Sequence, residues 1–164
     1  MKTTKRTRAY DWDNPEDTAI TARHLKGIDF LTGILKGEIP APPVAQTLDF
    51  QPVAVEEGNI LFKFTPAEFH YNPIGSVHGG VISTLMDTVT GCAVHSMLPK
   101  NKAYTTLELK VNFIKAVTMK SGEMYAEGRL IHLGKSTALA EAYLKNADGT
   151  LYAYATSTCM ILEF

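Results

Sequence analysis

His78-Gly79-Gly80 followed by Asp87 is the stretch of this chain in which residue types and spacing could do chemistry. A carboxylate can act as an oxygen nucleophile or as a base. Free backbone N–H groups at the start of a helix attract negative charge as it develops on a reacting oxygen. From Gly80 onward, Val81, Ile82, Leu85, Met86, Val89, Cys92, Ala93 and Met97 recur at helical spacing, so one helix starting near His78 to Gly80 carries both groups. Ser76 or His78 is placed to cap it. Two glycines are poor first-turn residues; either another group approaches bare backbone there, or the chain makes a tight turn beneath a strand. Asp87 has Ser83, Thr84, Thr90 and Gly91 as its helical neighbours, which leaves room beside the carboxylate. An ordinary solvated helix aspartate would show the same pattern.

Gly79 and Asp87 are roughly 12 Å apart along such a helix, at about 1.5 Å per residue, too far to act on one reacting atom. One chain therefore cannot complete the site. A two-fold dimer could, by laying two such helices antiparallel so that Asp87 of one faces the Gly79 end of the other.

The run Asn72-Pro73, Gly75-Ser76-Val77-His78-Gly79-Gly80 and Leu85-Met86-Asp87 resembles the signature of the hotdog-fold acyl-CoA thioesterases, in their PaaI-like (phenylacetyl-CoA thioesterase) branch. Tyr104 to Leu109, Val111-Asn112-Phe113, Gly128, His132 to Ala138, Asp148-Gly149 and Ala153 to Thr156 are similar to it as well, and the likeness runs from about Val44 to the end. The resemblance implies hydrolysis of an aromatic (phenylacetyl-like) or medium-chain acyl-CoA to free acid and CoA. It makes Asp87 the nucleophile or the base that activates water, and the Gly79 N–H the donor that polarises the thioester carbonyl. His78 would help orient the substrate, Asn72 would position thioester or water, and Thr106 matches an assisting hydroxyl, with adjacent Thr105 leaving the register open. The resemblance also makes Gly80 a substrate- or CoA-binding position. Lys135 and Ser136 sit where the family commonly contacts coenzyme A, with Lys115 a further candidate, although solvated turn residues would look the same. No cofactor is implied, since CoA is part of the substrate, and the expected assembly is a homodimer or a homotetramer built as a dimer of dimers.

That chemistry is coherent without the family. Thioester hydrolysis needs an oxygen nucleophile and donors for the oxyanion, and the departing thiolate needs little acid help. A non-catalytic acyl-CoA binding module is the main alternative, but binding alone has no use for a carboxylate beside a thioester. A hotdog dehydratase acting on carrier-protein substrates pairs its histidine differently and lacks the Asn-Pro and His-Gly-Gly runs.

Composition narrows the rest. With 164 residues, 16 Lys and Arg against 17 Asp and Glu, and no basic cluster interleaved with aromatics, the chain lacks the cationic field that nucleic-acid binding requires. No stretch approaches a membrane span, and basic Met1 to Arg8 is not followed by the apolar run of a secretion signal, so the cytoplasm is the expected compartment. Cys92 and Cys159 read as reduced core cysteines. His70, Asn72, His78 and Asp87 lack the spacing of a metal set, so no metal is expected, and His24, His95 and His132 read as structural or exposed. The Gly79-Gly80 pair is not followed by the Lys-Ser/Thr of a phosphate loop.

The elements that must position this site follow in order. Residues 1 to 15 read as a flexible lead-in whose end Trp12 could pin. Glu16 to Lys36 predicts one leading helix, broken near Gly27 or Gly33, and Pro40, Pro42 and Pro43 an extended connector. Residues 1–43 thus form an N-terminal lead-in, helix and connector, and 44–164 the main domain. There, Val44 to Glu56 and Asn59 to Thr65 predict a hairpin with Pro52 at an edge or bulge. After the long helix, Tyr104 to Ala116 predicts a strand with Leu107, Leu109, Val111 and Phe113 facing that helix. Gly122 to Leu133, Ser136 to Asn146 and Thr150 to Leu162 predict three more strands, with Gly128 and several alanines letting the sheet curl closely around something. The order is α+β: an antiparallel sheet wrapped around a long central helix, with an extra N-terminal helix, as in the hotdog fold.

Overall fold

Asn14 starts the first helix, α1 (Pro15–His24), by accepting the Glu16 N–H at 3.2 Å, and Pro15 fits the first turn because it has no N–H to satisfy. The computed structural model to which this helix belongs describes residues 4–164. Leu25 and Lys26 are extended, and a second helix, α2 (Gly27–Lys36), then runs to a left-handed Gly37. In place of one extra N-terminal helix there are two. The break falls before Gly27 because the backbone there presses on the central helix: a Cβ on Gly27 would stand 1.6 Å from the His95 carbonyl oxygen.

The segment expected to open the first strand is instead a third, short helix, α3 (Pro43–Leu48). Pro43 serves as a first-turn residue, and Asp49, left-handed at φ 55°, turns the chain sharply into β1 (Phe50–Glu56). The line drawn at residue 43/44 thus falls at the start of this helix. Nor does Trp12 pin the lead-in, being 59% exposed. Arg8 holds it, donating to the Gln46 and Thr47 carbonyls of α3 and lying 4.0 Å over the Phe69 ring. Residues 1–3 of that predicted lead-in lie outside the described residues.

β1 pairs with β2 (Asn59–Phe64), and Pro52 lies on this edge strand beside a bulge. The chain then passes through a single 3-10 turn and an irregular approach to the long helix α4 (Gly79–Ser96). β3 (Lys102–Phe113), β4 (Met124–Leu133), β5 (Thr137–Asn146) and β6 (Leu151–Glu163) complete a six-stranded antiparallel sheet in the order β1-β2-β4-β5-β6-β3.

This is the hotdog arrangement, and it buries one stripe of α4. Leu85, Met86, Val89 and Ala93 pack on Phe64, Met124, Ala126, Leu144 and Ala155 of the sheet. Each large apolar side chain so buried contributes on the order of 1.5 to 3 kcal/mol. The small residues of the sheet set how closely it approaches: a Cβ on Gly128 would be 2.1 Å from the Val89 carbonyl oxygen. Among the described residues no helix is long and apolar enough to cross a membrane.

The predicted helix-facing set of β3 needs one correction. A bulge at Leu107 shifts the pairing with β6 between Thr106 and Glu108, and Leu107 is turned outward, 58% exposed. Because the bulge absorbs one residue, Thr106 before it and Leu109 and Val111 after it all face α4.

Candidate active site

His78 has extended backbone angles and caps α4, its Nδ1 accepting the Gly80 N–H at 2.8 Å. The neutral ring therefore carries its proton on Nε2. With Gly80 engaged in this way, the Gly79 N–H is left without an acceptor among the described residues. The free donor at the helix start is thus Gly79. A Cβ there would be 3.2 Å from the Phe113 ring, so glycine also leaves space for an approaching group.

Asn72 organises the loop that leads into the cap. Its Oδ1 accepts the Ile74 and Ser76 N–H groups, each at 3.1 Å, and its Nδ2 donates to Ser76 Oγ at 3.0 Å. Asn72, Gly79 and Lys115 line one groove of about 310 Å³, so the sequence-predicted pair of Asn72 and Gly79 comes together. Lys115 also lies 5.1 Å above the Tyr152 ring. His70, buried behind this loop, is structural: Ala67 N–H donates to its Nδ1 at 3.0 Å, and its Nε2 donates to the Leu48 carbonyl at 2.9 Å. Burial holds its pKa below the usual histidine value.

Asp87 belongs to a different cavity. Its Oδ1 accepts the Thr106 hydroxyl at 2.8 Å, which selects Thr106 over the exposed Thr105. The carboxylate lies in the wall of a mainly apolar cavity of about 350 Å³, closed by Phe30, Leu31 and Ile34 of α2, Ala45 of α3 and Phe62 of β2. Segments read from sequence as a leading helix and as the start of a strand therefore contribute helices to the wall of this cavity. Cys92 is also in the wall; its thiol is pushed up to about 12, first by burial and then by the Asp87 carboxylate, and so stays protonated. Asp87 is the one carboxylate in the lining of this cavity among the described residues.

No residue lines both the Asp87 cavity and the Gly79 groove. One protomer separates the two halves of the predicted catalytic set, as the helical spacing requires. Lys135 and Ser136 are exposed in the β4–β5 turn and line neither space. Among the described residues no three His, Cys, Asp or Glu side chains gather as a metal set would.

His95 and Tyr104, read from sequence as a structural or exposed histidine and as part of a strand, also line the Asp87 cavity. The signal for His95 was present in the helix itself. At 3.6 residues per turn, Asp87, Thr88, Cys92 and His95 fall within about 140° of one face, but only the packing of α1 and α2 turns that face into a cavity.

With the geometry described, comparison places the chain among known proteins. Residues 74–153 match the family model described as thioesterase superfamily. A candidate esterase of Saccharolobus solfataricus is 31% identical over 125 residues, covering 75% of this chain and 86% of that protein. The 1,4-dihydroxy-2-naphthoyl-CoA hydrolase of Listeria monocytogenes is 27% identical over 116 residues, covering 71% and 91%. A Ralstonia eutropha crystal structure, described as a candidate thioesterase related to phenylacetic acid degradation, is 31% identical with a TM-score of 0.72, covering 79% of this chain and 98% of that one.

Proposed function

The chain belongs to the thioesterase superfamily, among its PaaI-like hotdog proteins, and from that premise we propose that it hydrolyses an acyl-CoA, with Asp87 and the Gly79 N–H as its working parts. The observation that carries this reading is the Asp87 carboxylate, held by Thr106, in the wall of a largely apolar cavity. An acyl group occupies that cavity. About 350 Å³ suits an aromatic or medium-chain acyl group, and the Listeria relative named for an aryl-CoA makes the aromatic class the first to try.

In the reaction, Asp87 either attacks the thioester carbon directly or takes a proton from a water that attacks it. The carbonyl oxygen becomes an oxyanion on the Gly79 N–H at the positive end of α4, where one such donor contributes about 10²- to 10³-fold. Nε2–H of His78 and the remaining Nδ2–H of Asn72 orient the thioester at this end. Collapse breaks the carbon–sulfur bond and CoA leaves as its thiolate, which in the water route takes up the proton held by Asp87 and in direct attack takes up one from the water of the second step. In direct attack, water then cleaves the acyl-aspartate. Beyond the chain and its acyl-CoA, the reaction as proposed draws only on water.

Asp87 and Gly79 meet across a two-fold dimer, each site taking one from either protomer. Pairing of such dimers into a tetramer leaves this requirement unchanged. Lys115, in the Gly79 groove, and Lys135 and Ser136 supply contacts for the phosphates of CoA. The test is free-thiol release from phenylacetyl-, benzoyl-, short-, medium- and long-chain acyl-CoA, comparing wild type with Asp87→Asn. Turnover that falls by at least about 10³-fold in the variant, while the oligomer persists, is the expected result. Tight acyl-CoA binding with no turnover by wild type would instead make the protein a binding module.

A further inference from the structure

Two polar atoms in the wall of the Asp87 cavity have no partner. Asp87 Oδ1 accepts the Thr106 hydroxyl, but Oδ2 makes no hydrogen bond among the described residues. The Tyr104 hydroxyl makes none either. The unpaired side-chain atoms that are shut off from any visitor are Asn59 Oδ1 and the two His95 nitrogens, and neither Asp87 Oδ2 nor the Tyr104 hydroxyl is among them. Each of these two therefore keeps surface that a small molecule can reach, and both residues line the same cavity.

Their separation follows from how β3 runs beside α4. Thr106 meets Asp87, and Tyr104, two residues earlier on the same strand face, meets Gly91, four residues after Asp87. The β3 bulge lies beyond Thr106, so the alternation holds between 104 and 106. A Cβ on Gly91 would stand 2.3 Å from the phenol oxygen, which can lie there only because position 91 is glycine. Four helical residues and two strand residues each advance roughly 6 Å, so the phenol oxygen stands about that far from the Asp87–Thr106 pair. One water with hydrogen bonds of about 2.8 Å to both sides spans nearly the same interval. Burial, then Cys92 and Asp87, raise the Tyr104 pKa, so the phenol keeps its proton and donates.

We propose that Tyr104 is a catalytic residue, its hydroxyl and Asp87 Oδ2 together holding the water that attacks the thioester. The proposal rests on the reading of the Asp87 cavity as the acyl site and takes the water route of that reaction. One water hydrogen points at Asp87 and one lone pair accepts the phenol, which leaves the other lone pair for the thioester carbon. As the water oxygen bonds to that carbon, its proton passes to Asp87 Oδ2 and the carbonyl π pair moves onto the oxygen at the Gly79 N–H. The phenol keeps its own proton throughout.

The test is Tyr104→Phe, which removes one oxygen and keeps the ring, with steady-state kinetics on the best acyl-CoA of the panel. We expect kcat to fall by about 10- to 100-fold while KM stays within about two-fold. Independently of any variant, a crystal structure of wild type with the non-hydrolysable thioether analogue of that acyl-CoA should show a water within hydrogen-bond distance of both Tyr104 and Asp87. The same structure of Tyr104→Phe should lack that water and keep the Thr106–Asp87 bond. A kcat near wild type, a loss carried wholly by KM, or no water between the two groups in wild type would overturn the proposal while leaving the thioesterase reading intact. No turnover of any acyl-CoA by wild type would remove that reading, and the proposal with it.

Discussion

As the proposed nucleophile or base, Asp87 relies on few neighbours. One hydroxyl, Thr106, fixes Oδ1 at 2.8 Å, and the apolar wall around it limits competing water. A hydrogen bond to a charged group contributes about 1.5 to 3 kcal/mol, so Thr106→Ala should lower kcat by roughly 10- to 100-fold if the bond orients the attacking oxygen. Thr106→Ser should restore most of the loss, and Thr105→Ala, on the exposed side, should stay near wild type. Equal losses at 105 and 106 in steady-state kinetics would mean that the hydroxyl does not act through Asp87.

At the scale of elements, the N-terminal helices are joined to the segment before α4 by a buried histidine whose protonation responds to pH. His70 links the 3-10 turn Glu68–His70 to the end of α3, with Arg8 and Asp49 as the charged groups nearest to it. Its folded pKa lies below the ordinary 6.5, chiefly through burial, and His95 is shifted in the same direction for the same reason. Below 6.5 the unfolded chain binds protons that the folded chain refuses, so stability falls as pH drops through that value, and the fall ends once the folded pKa is passed. Each histidine contributes at most about 1.4 kcal/mol per pH unit. Urea midpoints measured between pH 7.5 and 5.5 should therefore decrease for wild type and decrease less for His70→Gln, although that variant starts lower. Parallel curves would show that His70 protonates as readily folded as unfolded.

For the whole molecule, the consequence of α4 is that within one protomer Asp87 and Gly79 lie in separate spaces. The proposed dimer joins them, and the open edge of β3, flanked by exposed Leu107, Phe113 and Ile114, offers a surface for it. Gly79→Pro removes the free N–H with little strain, since proline is accepted at the first helical position and His78 is already extended. Asp87→Asn and Gly79→Pro should each be nearly inactive. A purified heterodimer of the two should recover about half the wild-type rate, because one of its two sites then has both Asp87 and Gly79 intact. A heterodimer as inactive as its parents would place the whole site within one chain.

The repeat of apolar residues from Val81 to Met97, a cap at Ser76 or His78 and the eight-residue interval between Gly79 and Asp87 depend on neighbours along the chain, so the helix, the place of its cap and the separation of those two residues were legible in the sequence. The small residues of β4 to β6 likewise announced a sheet closed tightly on a helix. Alternation along β3 misplaced Leu107, because a bulge depends on how β6 pairs alongside, and that same bulge decides that Thr106 meets Asp87. Val44 to Leu48 matched a strand pattern but forms a helix between Pro43 and the left-handed Asp49. Local propensity is weak against such junctions. The cavity itself, with α2 and α3 as walls and an unpaired His95 inside, exists only where segments distant in sequence pack together. Periodicity states which face a residue occupies; only tertiary packing decides what that face encloses.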